Sequence, residues 1–322
     1  MTPAQTINPD RLLHELSQLL TSSSKPEPGK EDESGALRAC SMTLILFVDD
    51  EADSAALGEM LKGLMHSHPS RTIVVRLRED ADVLESRVFA QCWTPVGQHR
   101  EICCEQVELS VSLNRVADIP SIISPLTAPD VPRVVWFRSS RIDSVPELGD
   151  LLALGDKMIV DTARPGAPAF ADLRVLAHAG YTVGDLAWTR LTKLRQLIAQ
   201  LLSGRDLNGV AHVSIEYSGG EAMPEAKYLQ AWLRRELRSA AVDLRRVDPA
   251  GPAKIKAIRI DPDIHVRIES DCAEYDAGSL RQRANLSDCS EGDLLNEELN
   301  IMTHDRIFER ALERMTAWTP RS

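Results

Sequence analysis

Strand-like and helix-like segments alternate along the first half of this chain, and this alternation limits the folds open to it. Thr43–Val48 is a continuous apolar run, which is typical of a strand buried on both faces of a sheet. Asp49–His68 has apolar residues at helical spacing and is followed by Pro69. The alternation continues as far as Ala179. We therefore predict an α/β domain with a largely parallel or mixed sheet.

The second half has one more strand and helix, and then three strand-like runs in succession, at Lys254–Ile260, Ile264–Ser270 and Ser279–Leu286. Consecutive strands usually form an antiparallel meander. We therefore expect a second α/β domain with a partly antiparallel sheet, and helices that join the two domains. The predicted segments are an N-terminal helix and flexible linker at 1–40, a first domain at 41–180, a connecting helix at 181–204 and a second domain at 205–322. The linker prediction rests on Thr21–Glu33, which contains no apolar residue.

Asp185–Leu202 is the most regular amphipathic stretch of the sequence. Its apolar residues recur at steps of three and four, which places them on one face of a predicted helix. Thr182 is the predicted N-cap, and Gly204 suits the left-handed turn that ends such a helix. Arg190 and Lys193 fall on the opposite face, which we expect to meet water or a partner.

The charge and cysteine content exclude some classes of protein. The net charge is −11, which argues against a general nucleic-acid binder, because such proteins need clustered positive charge. No apolar run approaches the roughly 20 residues of a membrane-spanning helix. The six cysteines include no CxxC pair, and no secretory signal is recognisable. We therefore expect a cytoplasmic, mostly reduced protein that does not bind membranes.

No catalytic, cofactor-binding or metal-binding motif stands out. Neither GxGxxG nor GxxxxGK[ST] occurs. The acidic run Asp49–Asp53 suits either a divalent ion or the positive end of a helix dipole, and His66 and His68 suit either a zinc pair or a helix C-terminus. The helix-end interpretation is favoured in both cases, so the sequence predicts no cofactor and no metal.

Cys103 and Cys104 are adjacent in a predicted strand. Neighbouring strand residues point to opposite faces, so we expect one cysteine to be buried and the other to lie nearer solvent. The prediction is two reduced thiols, with a redox role as the alternative.

Two groups of residues are candidates for binding a partner or an anion. Ser70 and Arg71 directly follow Pro69. The polar positions of the predicted meander include four arginines, Arg259, Arg267, Arg281 and Arg283. An arginine-rich sheet face is either a solvated exterior or a dedicated partner surface, and the solvated exterior is favoured.

Four segments taken together resemble one family. They are HPSRTIVV at 68–75, EICCEQVELSV at 101–111, SPLTAPDVPRVVWF at 124–137 and DLAWTRLTKLRQLIAQL at 185–201. Their order and spacing are similar to those of the glucose-6-phosphate dehydrogenase assembly protein family, OpcA. The resemblance implies a non-enzymatic accessory subunit that promotes oligomerisation and activation of glucose-6-phosphate dehydrogenase in the oxidative pentose phosphate pathway. It makes Trp188, Arg190 and Lys193 candidate contact residues for the dehydrogenase.

The competing interpretation is a small-molecule sensor or an enzyme on the same α/β scaffold. It predicts a pocket lined by titratable groups with perturbed pKa values. The assembly interpretation instead predicts an apolar, arginine-edged surface on or beside the helix at 185–202.

Overall fold

The computed structural model describes residues 7–23, 37–79, 82–94, 102–141, 148–278, 280–287 and 289–315. The chain forms two compact units. Unit 1 comprises residues 1–160, 164–168 and 181–183, and unit 2 comprises residues 161–163, 169–180 and 184–322. In the described ranges, no helix is long and apolar enough to cross a membrane.

Unit 1 is built on a mixed eight-stranded sheet. The strands are β1 (Leu37–Arg38), β2 (Met42–Asp49), β3 (Ser70–Arg78), β4 (Leu84–Trp93), β5 (Ile102–Ser112), β6 (Arg133–Phe137), β7 (Lys157–Val160) and β8 (Thr182–Asp185). Their order across the sheet is β1-β5-β3-β2-β6-β7-β8, with β4 alongside β5. The pairings among β5, β3, β2, β6 and β7 are parallel, and β4 is antiparallel to β5. The predicted largely parallel or mixed sheet is confirmed.

The apolar run predicted as a doubly buried strand forms β2, near the middle of this sheet. Residues 44–48 are at most 2% exposed. A strand with parallel neighbours on both edges and covered faces has no wet side, which is why the run is apolar throughout.

The helices of unit 1 are α1 (Pro9–Ser23), α2 (Ser54–Ser67), α3 (Ile119–Ile123) and α4 (Leu148–Leu152). The predicted helix at 49–68 begins later than expected, because β2 continues to Asp49. Asp53 is the N-cap of α2, and its carboxylate accepts hydrogen bonds from the backbone N–H groups of Ala55 and Ala56 at 2.8 and 3.2 Å. Leu12 and Leu16 of α1 are buried, and α1 packs against β4. Of the predicted linker, residues 24–33 lie outside the described residues.

Unit 2 contains a six-stranded sheet with the order β10-β9-β11-β12-β13-β14. Its strands are β9 (His212–Ser218), β10 (Ala241–Asp248), β11 (Lys254–Ile260), β12 (Ile264–Glu269), β13 (Cys272–Ala277) and β14 (Leu280–Asn285). β10 is parallel to β9, and every other pairing is antiparallel, which confirms the partly antiparallel second sheet.

The helices of unit 2 are α5 (Phe170–His178), α6 (Leu186–Thr189), α7 (Thr192–Leu202), α8 (Pro224–Glu236), α9 (Glu291–Leu299) and α10 (Arg306–Met315). The stretch predicted as one helix from Asp185 to Leu202 is therefore two helices, α6 and α7. Thr182, the predicted N-cap, lies instead in β8. Asp185 caps α6, and Gly204, at φ +75°, follows the end of α7 as predicted.

Candidate functional site

Asp185 is the buried centre of a polar cluster in unit 2. Its side chain is fully enclosed and accepts four hydrogen bonds. Thr162 donates its backbone N–H at 3.1 Å and its hydroxyl at 2.7 Å. The Tyr228 hydroxyl donates at 2.6 Å, and the Ala187 N–H donates at 2.9 Å. One carboxylate thus joins the loop at 161–163, the start of α6 and the buried face of α8.

Burial dominates the protonation of this cluster. It raises the pKa of Asp185 to about 6, even though the hydrogen bonds from Thr162 and Tyr228 favour the charged form. Burial also raises the pKa of Tyr228 well above its ordinary value, and the negative charge of Asp185 acts in the same direction. At neutral pH the pair is therefore a carboxylate held by a neutral phenol.

Arg190 holds a second part of the same cluster. Its guanidinium donates two hydrogen bonds to Asp161, at 2.8 and 2.5 Å, and one to Glu225 at 3.3 Å. The Arg190 side chain is 32% exposed, whereas those of Asp161 and Glu225 are only 2% and 8% exposed. Burial raises the pKa of Glu225, whose second carboxylate oxygen has no hydrogen-bond partner within the described part of the chain. Arg190 is thus the cation that compensates two buried carboxylates.

Trp188 fills the apolar centre beside the cluster and is 3% exposed. Its ring lies against the rings of Tyr228 and Phe308, with centroids 5.8 and 5.9 Å apart. The Arg195 guanidinium stacks over it at 3.7 Å, and its indole N–H donates to Asp305 at 3.2 Å. Trp188 therefore connects α6 to α7, α8 and the start of α10.

Thr189 and Gly184 complete the segment. The Thr189 hydroxyl donates to the buried carboxylate of Glu298, on α9, at 2.7 Å. A Cβ on Gly184 would lie 2.2 Å from the other oxygen of Glu298. Only glycine fits at this position while Glu298 keeps its place.

The residues Asp185, Trp188, Thr189 and Arg190, together with Asp161, Thr162, Glu225, Tyr228 and Glu298, are called the hub below. The hub consists of a carboxylate that caps α6, a buried ion pair and a packed indole. These groups hold α6, α8, α9 and α10 together, so the role of the hub is structural. Lys193 lies outside the hub on the exposed side of α7, where its ammonium donates to the backbone carbonyl and hydroxyl of Ser287 at 3.3 and 3.2 Å.

Ser70 and Arg71 are buried in unit 1, at 4% and 5% exposure. Arg71 donates to Glu105 at 2.6 Å and to the carbonyl of Leu126 at 2.6 Å. The Ser70 hydroxyl lies 3.1 Å from the hydroxyl of Thr72. Both side chains therefore form hydrogen bonds inside unit 1 and do not lie on a surface that a partner could reach.

The four arginines of the meander lie on one face of the unit 2 sheet. Arg259 is opposite His265, while Arg267 and Arg283 both lie opposite Glu274. Three of them form ion pairs with carboxylates of the same face: Arg259 with Glu216 at 3.2 Å, Arg281 with Asp276 at 3.6 Å and Arg283 with Glu274 at 3.1 Å. This arginine face is therefore a mixed-charge surface, on which the side chains of Arg281 and Arg283 remain 73% and 68% exposed.

The prediction for the adjacent cysteines is wrong in two respects. Both Cys103 and Cys104 are fully buried, although they point to opposite faces of β5, so both faces of the sheet are covered at this point. Cys103 is not a free thiol: it is disulfide-bonded to Cys92, which lies directly opposite it on β4. Cys104 is a free thiol, and burial raises its pKa to about 11, which makes it unreactive at neutral pH.

The place where a sheet of this topology binds ligands is occupied by the protein's own side chains. The chain winds outward in both directions from β2, so the switch point lies between β2 and β6. There Asp49 accepts hydrogen bonds from the hydroxyls of Ser139 and Ser140 and from the Ser140 N–H. These bonds outweigh burial and lower the pKa of Asp49. Arg141 lies beside it, paired with Glu51 and other carboxylates. The predicted helix-end role of the acidic run holds for Asp53, the N-cap of α2.

Sequence reasoning missed most partners within the hub. Asp161, Thr162, Glu225, Tyr228 and Glu298 lie far from Asp185–Arg190 in sequence, and only the fold brings them together. A local signal was present, because Glu225 follows Pro224 at the start of a predicted helix. An acidic residue there is ordinary for a helix N-terminus and gives no hint of an arginine partner.

Two family models match successive parts of the chain. Residues 62–178 match the family described as glucose-6-phosphate dehydrogenase subunit N-terminal domain. Residues 181–312 match the corresponding C-terminal domain. Together the two matches cover about three quarters of the chain.

Two curated relatives are proteins named for the OxPP cycle protein OpcA. The one from Synechocystis is 26% identical over 182 residues, or 53% of this chain and 38% of the relative. The one from Nostoc punctiforme is 26% identical over 177 residues, or 52% of this chain and 37% of the relative. The aligned part thus spans less than half the length of either relative.

Solved structures with a related arrangement include a Gfo/Idh/MocA family oxidoreductase from Vibrio cholerae, with 10% identity and a TM-score of 0.47. That alignment covers 85% of this chain and 95% of the other. Another is the biliverdin reductase of Synechocystis, with 11% identity and a TM-score of 0.45 over 84% of this chain and 96% of the other.

Proposed function

Because this chain belongs to the glucose-6-phosphate dehydrogenase assembly protein family, OpcA, we propose that it is a non-enzymatic accessory protein. In this proposal it binds glucose-6-phosphate dehydrogenase, promotes the active oligomer and so supports NADPH production in the oxidative pentose phosphate pathway. The proposal includes action in the cytoplasm, where this client enzyme would work.

One observation carries the proposal: the two matches are to the N-terminal and C-terminal domains of one dehydrogenase subunit family, in that order. The second match contains Asp185, Trp188, Thr189 and Arg190 of the hub. These residues form hydrogen bonds, ion pairs and ring contacts inside unit 2, so this segment stabilises the fold of unit 2. A stabilising role fits an accessory protein better than an enzyme.

The alternative, a sensor or enzyme that uses the usual crevice of an α/β sheet, is disfavoured by the residues at that crevice. A dinucleotide places its pyrophosphate at the N-terminus of the first helix, on free backbone N–H groups. In this chain Asp53 already accepts from those groups of α2, and Asp49 and Glu51 add negative charge nearby. A pyrophosphate at this position would meet carboxylates.

The proposed contact surface is the arginine face with Lys193 as a second candidate. The side chains of Arg281 and Arg283 are 73% and 68% exposed, more than the 52% of Arg259. Both pair with Glu274, and Arg281 also pairs with Asp276, but these ion pairs lie on an exposed sheet face, where water screens them and a partner can compete for the arginines. Exposed arginines are common anchors of protein interfaces. Trp188 and Arg71 are placed inside their units, and Arg190 is committed to Asp161.

The test combines the purified protein with the dehydrogenase of its own organism and measures both activity and the mass of the complex. We expect a larger assembly and a higher activity than the dehydrogenase shows alone. The variant with Arg281→Glu and Arg283→Glu should weaken both effects, while Arg11→Glu, a charge reversal at an exposed residue of α1, should not. Absence of any complex and any activation would reject the proposal. Full activation by the double variant would reject only the arginine face.

A further inference from the structure

Unit 1 contains an open polar pocket beside the occupied switch point. Its volume is about 220 Å³, and it lies at the carboxyl ends of β2 and β3, next to the first turn of α2. Ligands of open α/β sheets bind at this edge. The pocket is therefore in a position suited to binding, one strand away from the crevice that Asp49 fills.

Side chains on three neighbouring strands form one wall of the pocket. Arg76 on β3 lies opposite Ser110 on β5, and Ser110 lies opposite Glu85 on β4. Glu108 and Arg87 form the next such pair along β5 and β4. Paired residues share a face of the sheet, so these groups project to the same side. The alternating polar residues of β5, Glu108 and Ser110, thus contribute to the lining of the pocket.

The floor of the pocket is fixed by Arg76, which is 6% exposed. Its guanidinium donates to Glu108, to the carbonyl of Ala52 at 3.0 Å and to the hydroxyl of Ser54 at 2.8 Å. A cation held by three acceptors keeps its place when a ligand enters. The hydroxyl of Ser54 accepts from Arg76, so its own proton remains available to donate.

The lining selects the chemical class of ligand. All nine lining residues are polar. They are three serines (Ser54, Ser86 and Ser110), three carboxylates (Asp50, Glu85 and Glu108) and three arginines (Arg76, Arg78 and Arg87). Such a lining offers nothing to an apolar ligand, and its balanced charge does not suit a polyanion. Carboxylates and serines accept hydrogen bonds from hydroxyl groups, while arginines and serines donate to a phosphate. We propose that this pocket binds a small, hydroxyl-rich monophosphate, that is, a sugar phosphate.

This inference adds a ligand to the accessory role without resting on it, because the binding is measured on the isolated chain of 322 residues, with no dehydrogenase present. Isothermal titration calorimetry with glucose 6-phosphate, glucose, inorganic phosphate and NADP⁺ tests the class directly. We expect saturable binding of glucose 6-phosphate, at least about tenfold tighter than that of glucose or inorganic phosphate, because each lacks one set of recognised groups. Equal or tighter binding of inorganic phosphate or NADP⁺ would overturn the assignment, as would no binding of glucose 6-phosphate.

Variants locate the binding in this pocket. Arg87 is exposed on β4, so Arg87→Ala removes one donor without opening the core, and it should weaken binding about tenfold or more. Glu85→Gln, also at an exposed position, should weaken recognition of the sugar while it keeps the shape of the side chain. Arg11→Ala removes the same charge from α1 and is the matched control. Equal affinities for Arg87→Ala and Arg11→Ala would place the binding elsewhere and overturn the proposal.

Discussion

Replacing Arg190 with alanine should destabilise the protein more than the exposure of this arginine suggests. The change removes the cation that donates two hydrogen bonds to Asp161, whose side chain is 2% exposed, and it also takes away the ion-pair partner of Glu225. Removing one partner of a fully buried pair typically costs about 3–5 kcal/mol, because the remaining charge is left without compensation. Arg190 itself is 32% exposed, so solvent screens part of this interaction. We expect a loss of about 2–3 kcal/mol in the free energy of unfolding.

A matched control exists in the same unit. Arg205 is 34% exposed and pairs with Asp263 at 2.5 Å, but Asp263 is itself 36% exposed. Arg205→Ala leaves behind a carboxylate that water can solvate, so its cost should stay within about 1 kcal/mol. The two substitutions remove the same group at the same exposure and differ mainly in the burial of the partner.

Urea unfolding followed by circular dichroism measures both losses, and thermal unfolding should show a midpoint about 5–10 °C lower for Arg190→Ala. Adding Asp161→Asn to Arg190→Ala should recover about 1 kcal/mol or more, because the buried charge disappears with its partner. Equal losses for Arg190→Ala and Arg205→Ala would refute the reasoning. So would a double variant whose loss is the sum of the two single losses.

Three further predictions concern stability. Burial raises the pKa of Asp185 to about 6, so its contribution to the free energy of unfolding is fully present below about pH 4 and is lost as pH rises through about 6. The difference in unfolding free energy between wild type and Asp185→Asn, measured by urea unfolding across this pH range, should fall by about 3 kcal/mol. Cys92→Ser should cost about 2–3 kcal/mol under oxidising conditions, whereas Cys272→Ser, at a free cysteine, should cost much less. Gly184→Ala should cost about 1–3 kcal/mol, because its Cβ would overlap Glu298; thermal unfolding unchanged from wild type would contradict that clash.

The fold was predictable wherever its signals were local. The apolar run of β2 and the helical spacing of α2 each lie within one short segment, and the alternation of such segments indicates the α/β class. β10 and β13 were not among the predicted strands. Their sequences, AVDLRRVD and CAEYDA, carry charged residues at several positions because one face or edge is wet. Such strands lack the apolar pattern that distinguishes a strand from a loop.

The location of the candidate site was predictable from the sequence, but the buried partners of its residues were not. The segment at 185–190 could be singled out from the sequence, yet its helical periodicity suggested an outward-facing Arg190. The direction of that side chain depends on Asp161 and Glu225, which reach it through separate elements. Likewise, the pairing of Cys103 with Cys92 follows from the register of β4 against β5, which no local pattern specifies.

The interleaving of the two units along the chain limits how this protein can be divided. Residues 161–163 belong to unit 2 although residues 164–168 and 181–183, which follow them, belong to unit 1. A fragment that begins at Tyr181, where the C-terminal family match starts, would contain Asp185 and Arg190 but lack Thr162 and Asp161. Half of the hydrogen bonds to Asp185 would be missing, and Arg190 would have lost its closest counter-ion. A fragment or fusion protein that is meant to contain the whole of unit 2 should therefore begin before residue 161, even though the two family matches divide near residue 180.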